Sequence, residues 1–300
     1  MNISSTNHSP ESGLVIQANS ETPLTEIDPG YILEMLADKG YVLFRGFPNS
    51  IEIFTDLVKS LSSSLSLDPA RSFDGDAAQK VDAGTDKVGL HCENGNSPFW
   101  PDLCWFYCNV APQRGSQTTV CDGQAVYKQM DDELKAAFQQ EIKYSRKVDK
   151  TKWQRYALHA SLARGKQVES IDDITIDDLK ELVNDPNSSE IHLLDDGSIE
   201  YIFKTNPVRS SAVNKALTNN FANSIFGPSN HYASPVITYS NGNSIPSEQL
   251  DRMESLCERL TCNIDWEQGD ILLIDNTRVM HGRRKIEDTE RLIFNALSYI

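Results

Sequence analysis

His91 and Glu93 stand two positions apart in the stretch Gly89-Leu90-His91-Cys92-Glu93. Residues i and i+2 of an extended strand point to the same face, so an imidazole and a carboxylate project side by side. Two histidines and one carboxylate, with coordination positions left open, make a facial site for non-haem Fe(II). The missing ligand should be a histidine far away in sequence. His281 stands in a suitable setting, Asp275-Asn276-Thr277-Arg278-Val279-Met280-His281-Gly282-Arg283, and Arg291 follows ten positions later. An H-x-E triplet alone arises by chance in many proteins; the distant D-N-x-x-x-x-H-G-R and the arginine after it make the combination specific. The same donors also suit catalytic zinc, which keeps a metal-dependent hydrolase as an alternative. A third reading is a non-catalytic scaffold, against which all three ligands being intact counts.

Such residues need strands to hold them. Tyr41-Val42-Leu43-Phe44-Arg45-Gly46 reads as a buried strand. Leu103 to Val110 is a strong one, with Trp105 and Tyr107 on one face and Cys104, Phe106 and Cys108 on the other. Gln117 to Cys121 is short, Lys143 to Val148 looks extended, Ile271 to Asp275 is a fully apolar central strand, and Arg291 to Ile300 is the last. Ile191 to Leu194 and Ile199 to Lys204 form a hairpin through Asp195-Asp196-Gly197-Ser198. Helical spacing is present over 31–39, 51–65, 126–142, 247–262 and part of 211–226, while 68–87 reads as an irregular loop. Many short strands separated by turns predict a mainly β fold with peripheral helices, a double-sheet jelly roll. Residues 1–22 are polar and lack hydrophobic period, which predicts a flexible N-terminal arm. Residues 23–300 form one domain, and the helix-prone, acidic stretch at about 153–189 reads as a lid insertion.

The chain of 300 residues carries 43 acidic and 28 basic side chains, a net charge of -15. That disfavours a nucleic-acid partner and gives no support for binding an anionic membrane. No apolar run approaches a membrane span, and the N-terminus lacks the pattern of a signal peptide. The six cysteines contain no C-x-x-C pair. They are expected as free thiols in a reducing cytoplasm. A small-molecule substrate is the expected partner.

The motifs together resemble the taurine dioxygenase/clavaminate synthase-like family of Fe(II)/2-oxoglutarate oxygenases. They are Arg45-Gly46-Phe47, His91-x-Glu93, Gly115-Ser116-Gln117-Thr118, Trp266-Glu267-Gln268-Gly269-Asp270, and Asp275-Asn276 with His281-Gly282-Arg283. The resemblance implies a double-stranded β-helix, a distorted jelly roll, binding Fe(II), 2-oxoglutarate and O2. It assigns the iron to His91, Glu93 and His281, and 2-oxoglutarate to Thr118 and Arg291, with Thr119 next door. A guanidinium fork matches a carboxylate and a hydroxyl adds a directional bond. The implied activity is hydroxylation, with desaturation or cyclisation open to the same ligands, of an unactivated C–H bond in a small polar metabolite such as an amino acid or natural-product intermediate. Taurine-type members hold a substrate sulfonate with a second arginine four residues on, where this chain has Asn295.

The remaining candidates have ordinary explanations. His159, His192 and His231 are not expected as ligands. Arg283 and Arg284 read mainly as structural, and Trp100, Trp105 and Trp153 as packing residues.

Overall fold

In the computed structural model, which describes residues 3–19, 21, 23–66, 73–74, 77–81, 84–163, 165–182, 187–227 and 234–300, the strands carrying the two histidines are neighbours. In chain order the strands are β1 (Ile3–Asn7), β2 (Leu14–Ala18), β3 (Tyr41–Arg45), β4 (Ser64–Leu65), β5 (Phe73–Asp74), β6 (Ala78–Lys80), β7 (Val88–His91), β8 (Leu103–Val110) and β9 (Thr118–Asp122). They continue with β10 (Ile142–Val148), β11 (Ser189–Leu193), β12 (Ile199–Thr205), β13 (Val208–Arg209), β14 (Asn220–Phe221), β15 (Val236–Tyr239), β16 (Cys262–Ile264), β17 (Ile271–Asp275), β18 (Val279–Arg283) and β19 (Leu292–Tyr299). The helices are α1 (Pro29–Lys39), α2 (Ile51–Ser60), α3 (Gly123–Gln129), α4 (Asp132–Phe138), α5 (Lys150–Ala163), α6 (Ile176–Leu182) and α7 (Ser247–Arg259).

Among the described residues, one sheet runs β1-β2-β3-β17-β8-β19-β6-β5, with β4 also on β19. A second runs β16-β9-β18-β7 and a third β11-β12-β10-β15. The fold is mainly β with peripheral helices, as the strand spacing predicts. The alternation along β8 explains how the layers meet. Leu103, Trp105 and Tyr107 face a cluster that includes Ile32 and Leu36 of α1 and Phe54, Leu57 and Val58 of α2. Cys104, Phe106 and Cys108 face Val120 of β9, Ile264 of β16 and Val279 of β18. The second cluster is the interior between the two sheets. β17 lies between β3 and β8 with every residue buried, which accounts for its unbroken apolar run.

Several expectations need correction. The N-terminal arm is not loose: β1 pairs antiparallel with β2, and β2 pairs parallel with β3. β1 is an exposed edge strand, so backbone pairing orders it without an apolar pattern. Ile16 of β2 is buried against the main core. No helix forms over the described residues of 211–226. There Ser211 donates to Asp275, the Thr277 hydroxyl accepts from the Ala212 N–H, and Asn220 bonds backbone carbonyls. These polar side chains compete with helical bonding. The helix over 126–142 splits into α3 and α4, with Asp131 capping the second by accepting from the Leu134 N–H. The 68–87 stretch contains β5 and β6, β6 being paired with β19; its remainder lies partly outside the described residues. Among the described residues of 153–189, α5 and α6 pack together through Trp153, Ala157, Leu179 and Leu182. All six cysteines are free thiols. No helix among the described residues is long and apolar enough to cross a membrane.

Candidate active site

β18 lies between β9 and β7, and His281 on it stands opposite His91, the last residue of β7. Residues directly opposite on antiparallel strands send their side chains to the same face. The imidazole centroids are accordingly 4.4 Å apart. Phe106 of β8 meets His281 edge-on from the facing sheet, at 5.2 Å.

Glu93 arrives differently from the sequence expectation. β7 stops at His91, so the two residues do not share a strand face. The chain turns beyond Cys92: Asn94 takes φ 55, a left-handed conformation that asparagine tolerates. The N–H groups of Gly95 and Ser97 donate to the carbonyls of Cys92 and Asn94. The carboxylate nevertheless reaches both rings. Its Oε2 lies 3.4 Å from Nε2 of His91 and 3.4 Å from Nε2 of His281.

The donor set fits one divalent ion. One potential ligand atom from each residue falls within 4.8 Å of the others. Donors about 2.1 Å from a shared ion stand about 3.0 Å apart in octahedral geometry and about 3.4 Å apart in tetrahedral geometry. Nδ1 of His91 lies 2.9 Å from the Gly89 carbonyl. A carbonyl only accepts, so that bond places the proton on Nδ1 and leaves the Nε2 lone pair facing Glu93. His281 and Glu93 are buried, and His91 is half-buried.

Two residues beyond His281, β18 places Arg283 opposite Thr118 of β9. The Thr118 hydroxyl accepts from Trp266 Nε1 at 3.1 Å, and Trp266 belongs to the interior between the sheets. Thr119, next along β9, lies instead against Gly282, where an added Cβ would stand 2.8 Å from its hydroxyl. Buried Arg283 donates to the Gly84 and Asp86 carbonyls, each at 2.7 Å. Arg291 precedes β19. Burial first, and the Arg283 charge second, push its pKa down to about 10. Among the described residues no carboxylate forms an ion pair with it. A cation withdrawn from water beside a second cation favours the arrival of an anion.

His91, Glu93 and His281 are therefore brought together, while Thr118 and Arg291 both lie near Arg283. Arg283, expected as structural, is tied to two backbone carbonyls, and it stands two residues from His281 on the same strand. Arg284 turns outward to Glu258 and Asn263. His192 pairs with Glu190 at the surface. His231 and the side chain of His159 lie outside the described residues. The indole N–H groups of Trp100, Trp105 and Trp153 donate to Asn276, Ser298 and Gly197, which suits packing residues.

The profile of the taurine catabolism dioxygenase TauD, TfdA family matches residues 6–297. The dapdiamide synthesis protein DdaC of Enterobacter agglomerans is 25% identical, covering 96% of this chain and 91% of that protein. A clavaminate synthase-like protein of Arabidopsis thaliana is 23% identical, covering 88% of this chain and 83% of its own. Among solved structures, PvcB of Pseudomonas aeruginosa, described as an Fe, alpha-ketoglutarate dependent oxygenase from an isonitrile synthetic pathway, superposes with a TM-score of 0.62 at 13% identity. That match covers 100% of this chain and 92% of PvcB, and it carries the fold.

Proposed function

The chain belongs to the taurine catabolism dioxygenase TauD, TfdA family, and from that premise we propose that His91, Glu93 and His281 hold the Fe(II) of this 2-oxoglutarate-dependent oxygenase while Arg291 and Thr118 hold 2-oxoglutarate. The carrying observation is the approach of two histidine Nε2 atoms to one oxygen of Glu93. The family membership sets aside the zinc hydrolase and the non-catalytic scaffold. A hydrolase would also have no evident use for Thr118 and Arg291.

Bound iron, with 2-oxoglutarate and O2, supplies an oxidant able to take hydrogen from an unactivated C–H bond. The chain's own residues bind, orient and exclude water. The His91 Nδ1 bond to Gly89 fixes the tautomer that offers Nε2 to a metal. Arg291 presents a planar fork to the distal carboxylate of 2-oxoglutarate. Thr118 accepts from Trp266, so its own O–H is left to donate to that carboxylate. Arg283, tied to the Gly84 and Asp86 carbonyls, adds positive potential at the same end. Phe106 and Trp266 set apolar ring surface beside the ligands.

The two facing sheets form the double-stranded β-helix in this reading, with α5 and α6 belonging to a lid. The substrate is a small polar metabolite, such as an amino acid or a natural-product intermediate, and hydroxylation is the default outcome. The dapdiamide synthesis protein and the isonitrile-pathway oxygenase among the similar proteins support that class. Asn295 argues against a sulfonate held by a second arginine. Six unbridged thiols support a reducing compartment such as the cytoplasm. The test is a screen of amino acids and related metabolites for substrate-stimulated succinate release by the Fe(II)-loaded enzyme. A hit should give oxygenated or desaturated product in step with succinate. Stimulation only by compounds outside this class would overturn the substrate assignment.

A further inference from the structure

Glu93 has no strand to hold it. β7 ends at His91, and the next residue, Cys92, is tied elsewhere: its N–H donates to the Asn223 carbonyl at 2.9 Å, and its carbonyl accepts from the Ser224 hydroxyl at 2.7 Å. The Glu93 backbone is instead gripped by one side chain. Oδ1 of Asn276 accepts from the Glu93 N–H at 2.8 Å, and Nδ2 of Asn276 donates to the Glu93 carbonyl at 3.0 Å. This is the two-way exchange that a neighbouring strand would make with a hydrogen-bonded partner, supplied here by a carboxamide. Nδ2 also donates to the Pro101 carbonyl at 2.8 Å. One oxygen facing an N–H and one nitrogen facing two carbonyls fixes the amide's orientation.

Asn276 is itself held firmly. It is fully buried. Its N–H donates to the Asp102 carbonyl at 2.9 Å, and its carbonyl accepts from Trp100 Nε1 at 3.1 Å. It follows β17 immediately and precedes His281 by five residues, on the connection into β18. The chain that delivers His281 therefore also sets the position of Glu93.

We propose that Asn276 is a positioning residue for the metal centre, holding the Glu93 backbone where its carboxylate oxygen meets Nε2 of both histidines. This rests on the reading of Glu93 as a metal ligand. The chemistry is particular to asparagine. Aspartate would set an oxygen against two carbonyl oxygens, glutamine would add a methylene in a filled interior, and alanine would leave the Glu93 N–H and carbonyl without these partners.

The experiment is Co(II) titration of the metal-free full-length protein, followed by visible absorption, with the thermal midpoint of each apoprotein measured alongside. The variants are Asn276→Ala, Asn276→Asp, Glu93→Ala and Asn220→Ala. Asn220 is the control: it is equally buried and donates to the Arg209 and Leu217 carbonyls at 2.9 and 3.1 Å, neither of them a ligand residue. Both Asn276 variants should bind Co(II) about 10–100-fold more weakly with an altered spectrum. Glu93→Ala should lose at least as much. Asn220→Ala should lower the thermal midpoint yet bind Co(II) within about threefold of wild type. If the Asn276 variants match wild type in affinity and spectrum while Glu93→Ala loses binding, the positioning role is overturned and the ligand set stands. If Glu93→Ala keeps wild-type affinity, the ligand set falls and takes the positioning role with it. If Asn220→Ala weakens Co(II) as much as Asn276→Ala, the effect is general loss of stability and the proposal fails. Should Asn276→Ala not fold, Asn276→Asp decides by the same criteria.

Discussion

His281 and Arg283 are two residues apart on β18, yet the ends of the site that they serve carry opposite charge. At the His281 end two imidazoles and one carboxylate converge, a set of lone pairs that gains from a divalent cation. At the Arg283 end two guanidiniums lie within electrostatic reach of each other, and no carboxylate among the described residues pairs with Arg291. In the proposed assignment one end receives a cation and the other an anion. Damage at one end should therefore be readable separately from damage at the other.

The largest effect is expected from His281→Ala. One of three protein bonds to the metal is lost, and tuning by neighbouring groups cannot replace it. Iron binding and turnover should both disappear, activity falling by about three orders of magnitude or more. Iron content of the purified variant and succinate release measure this. A variant with stoichiometric iron and near-normal turnover would remove His281 from the ligand set.

Arg291→Met should be next. A carboxylate deprived of its charged partner costs about 2–5 kcal/mol, so the 2-oxoglutarate requirement should rise from about thirtyfold to several thousandfold. Iron binding should stay near wild type. The same variant removes a half-buried charge beside Arg283, so the apoprotein's thermal midpoint should rise by about 2–4 °C. Equal damage to iron and co-substrate binding would dissolve the distinction between the two ends.

Trp266→Phe tests a single hydrogen bond. Thr118 would lose the donor that orients its hydroxyl. A net loss of about 1 kcal/mol predicts an approximately fivefold higher 2-oxoglutarate requirement with unchanged iron affinity. The smallest effect concerns pH. Arg291 in the folded protein is pushed down to about 10, below its ordinary value. The folded apoprotein therefore binds fewer protons there than the unfolded chain, so this group's contribution to apoprotein stability should rise as pH climbs through about 10. Co-substrate affinity should move the other way. It needs the charged guanidinium and should fall above about pH 10 in wild type but not in Arg291→Met. Titrating 2-oxoglutarate at pH 8 to 10.5 with the metal held saturating separates the two proteins.

The strands that frame the site were legible because their signals are local, whereas β18, which carries His281, was not among the predicted strands. The apolar run of β17 and the alternation of β8 leave little choice of face. His281 opposite His91 is a matter of register between distant strands, which the residue types suggest and only pairing fixes. Glu93 does meet the two histidines, but not through a shared strand face: its backbone lies beyond the end of β7, hydrogen-bonded to the Asn276 side chain. The order of β1 was hidden because an exposed edge strand is specified by backbone hydrogen bonds and needs no apolar pattern. Helical spacing in part of 211–226 is overridden because Ser211 and Asn214 bond to distant chain segments, which no local spacing announces.

The most direct test of the two-ended site is anaerobic addition of 2-oxoglutarate to the Fe(II)-loaded protein, followed by the weak visible charge-transfer band of the ternary complex. Wild type should develop the band at one Fe(II) per chain. Arg291→Met should hold the same iron and reach the same band only at far higher 2-oxoglutarate, while His281→Ala should give none at any concentration. A band in Arg291→Met at the wild-type concentration, or any band in His281→Ala, would contradict the assignment of iron to one end of β18 and the co-substrate to the other.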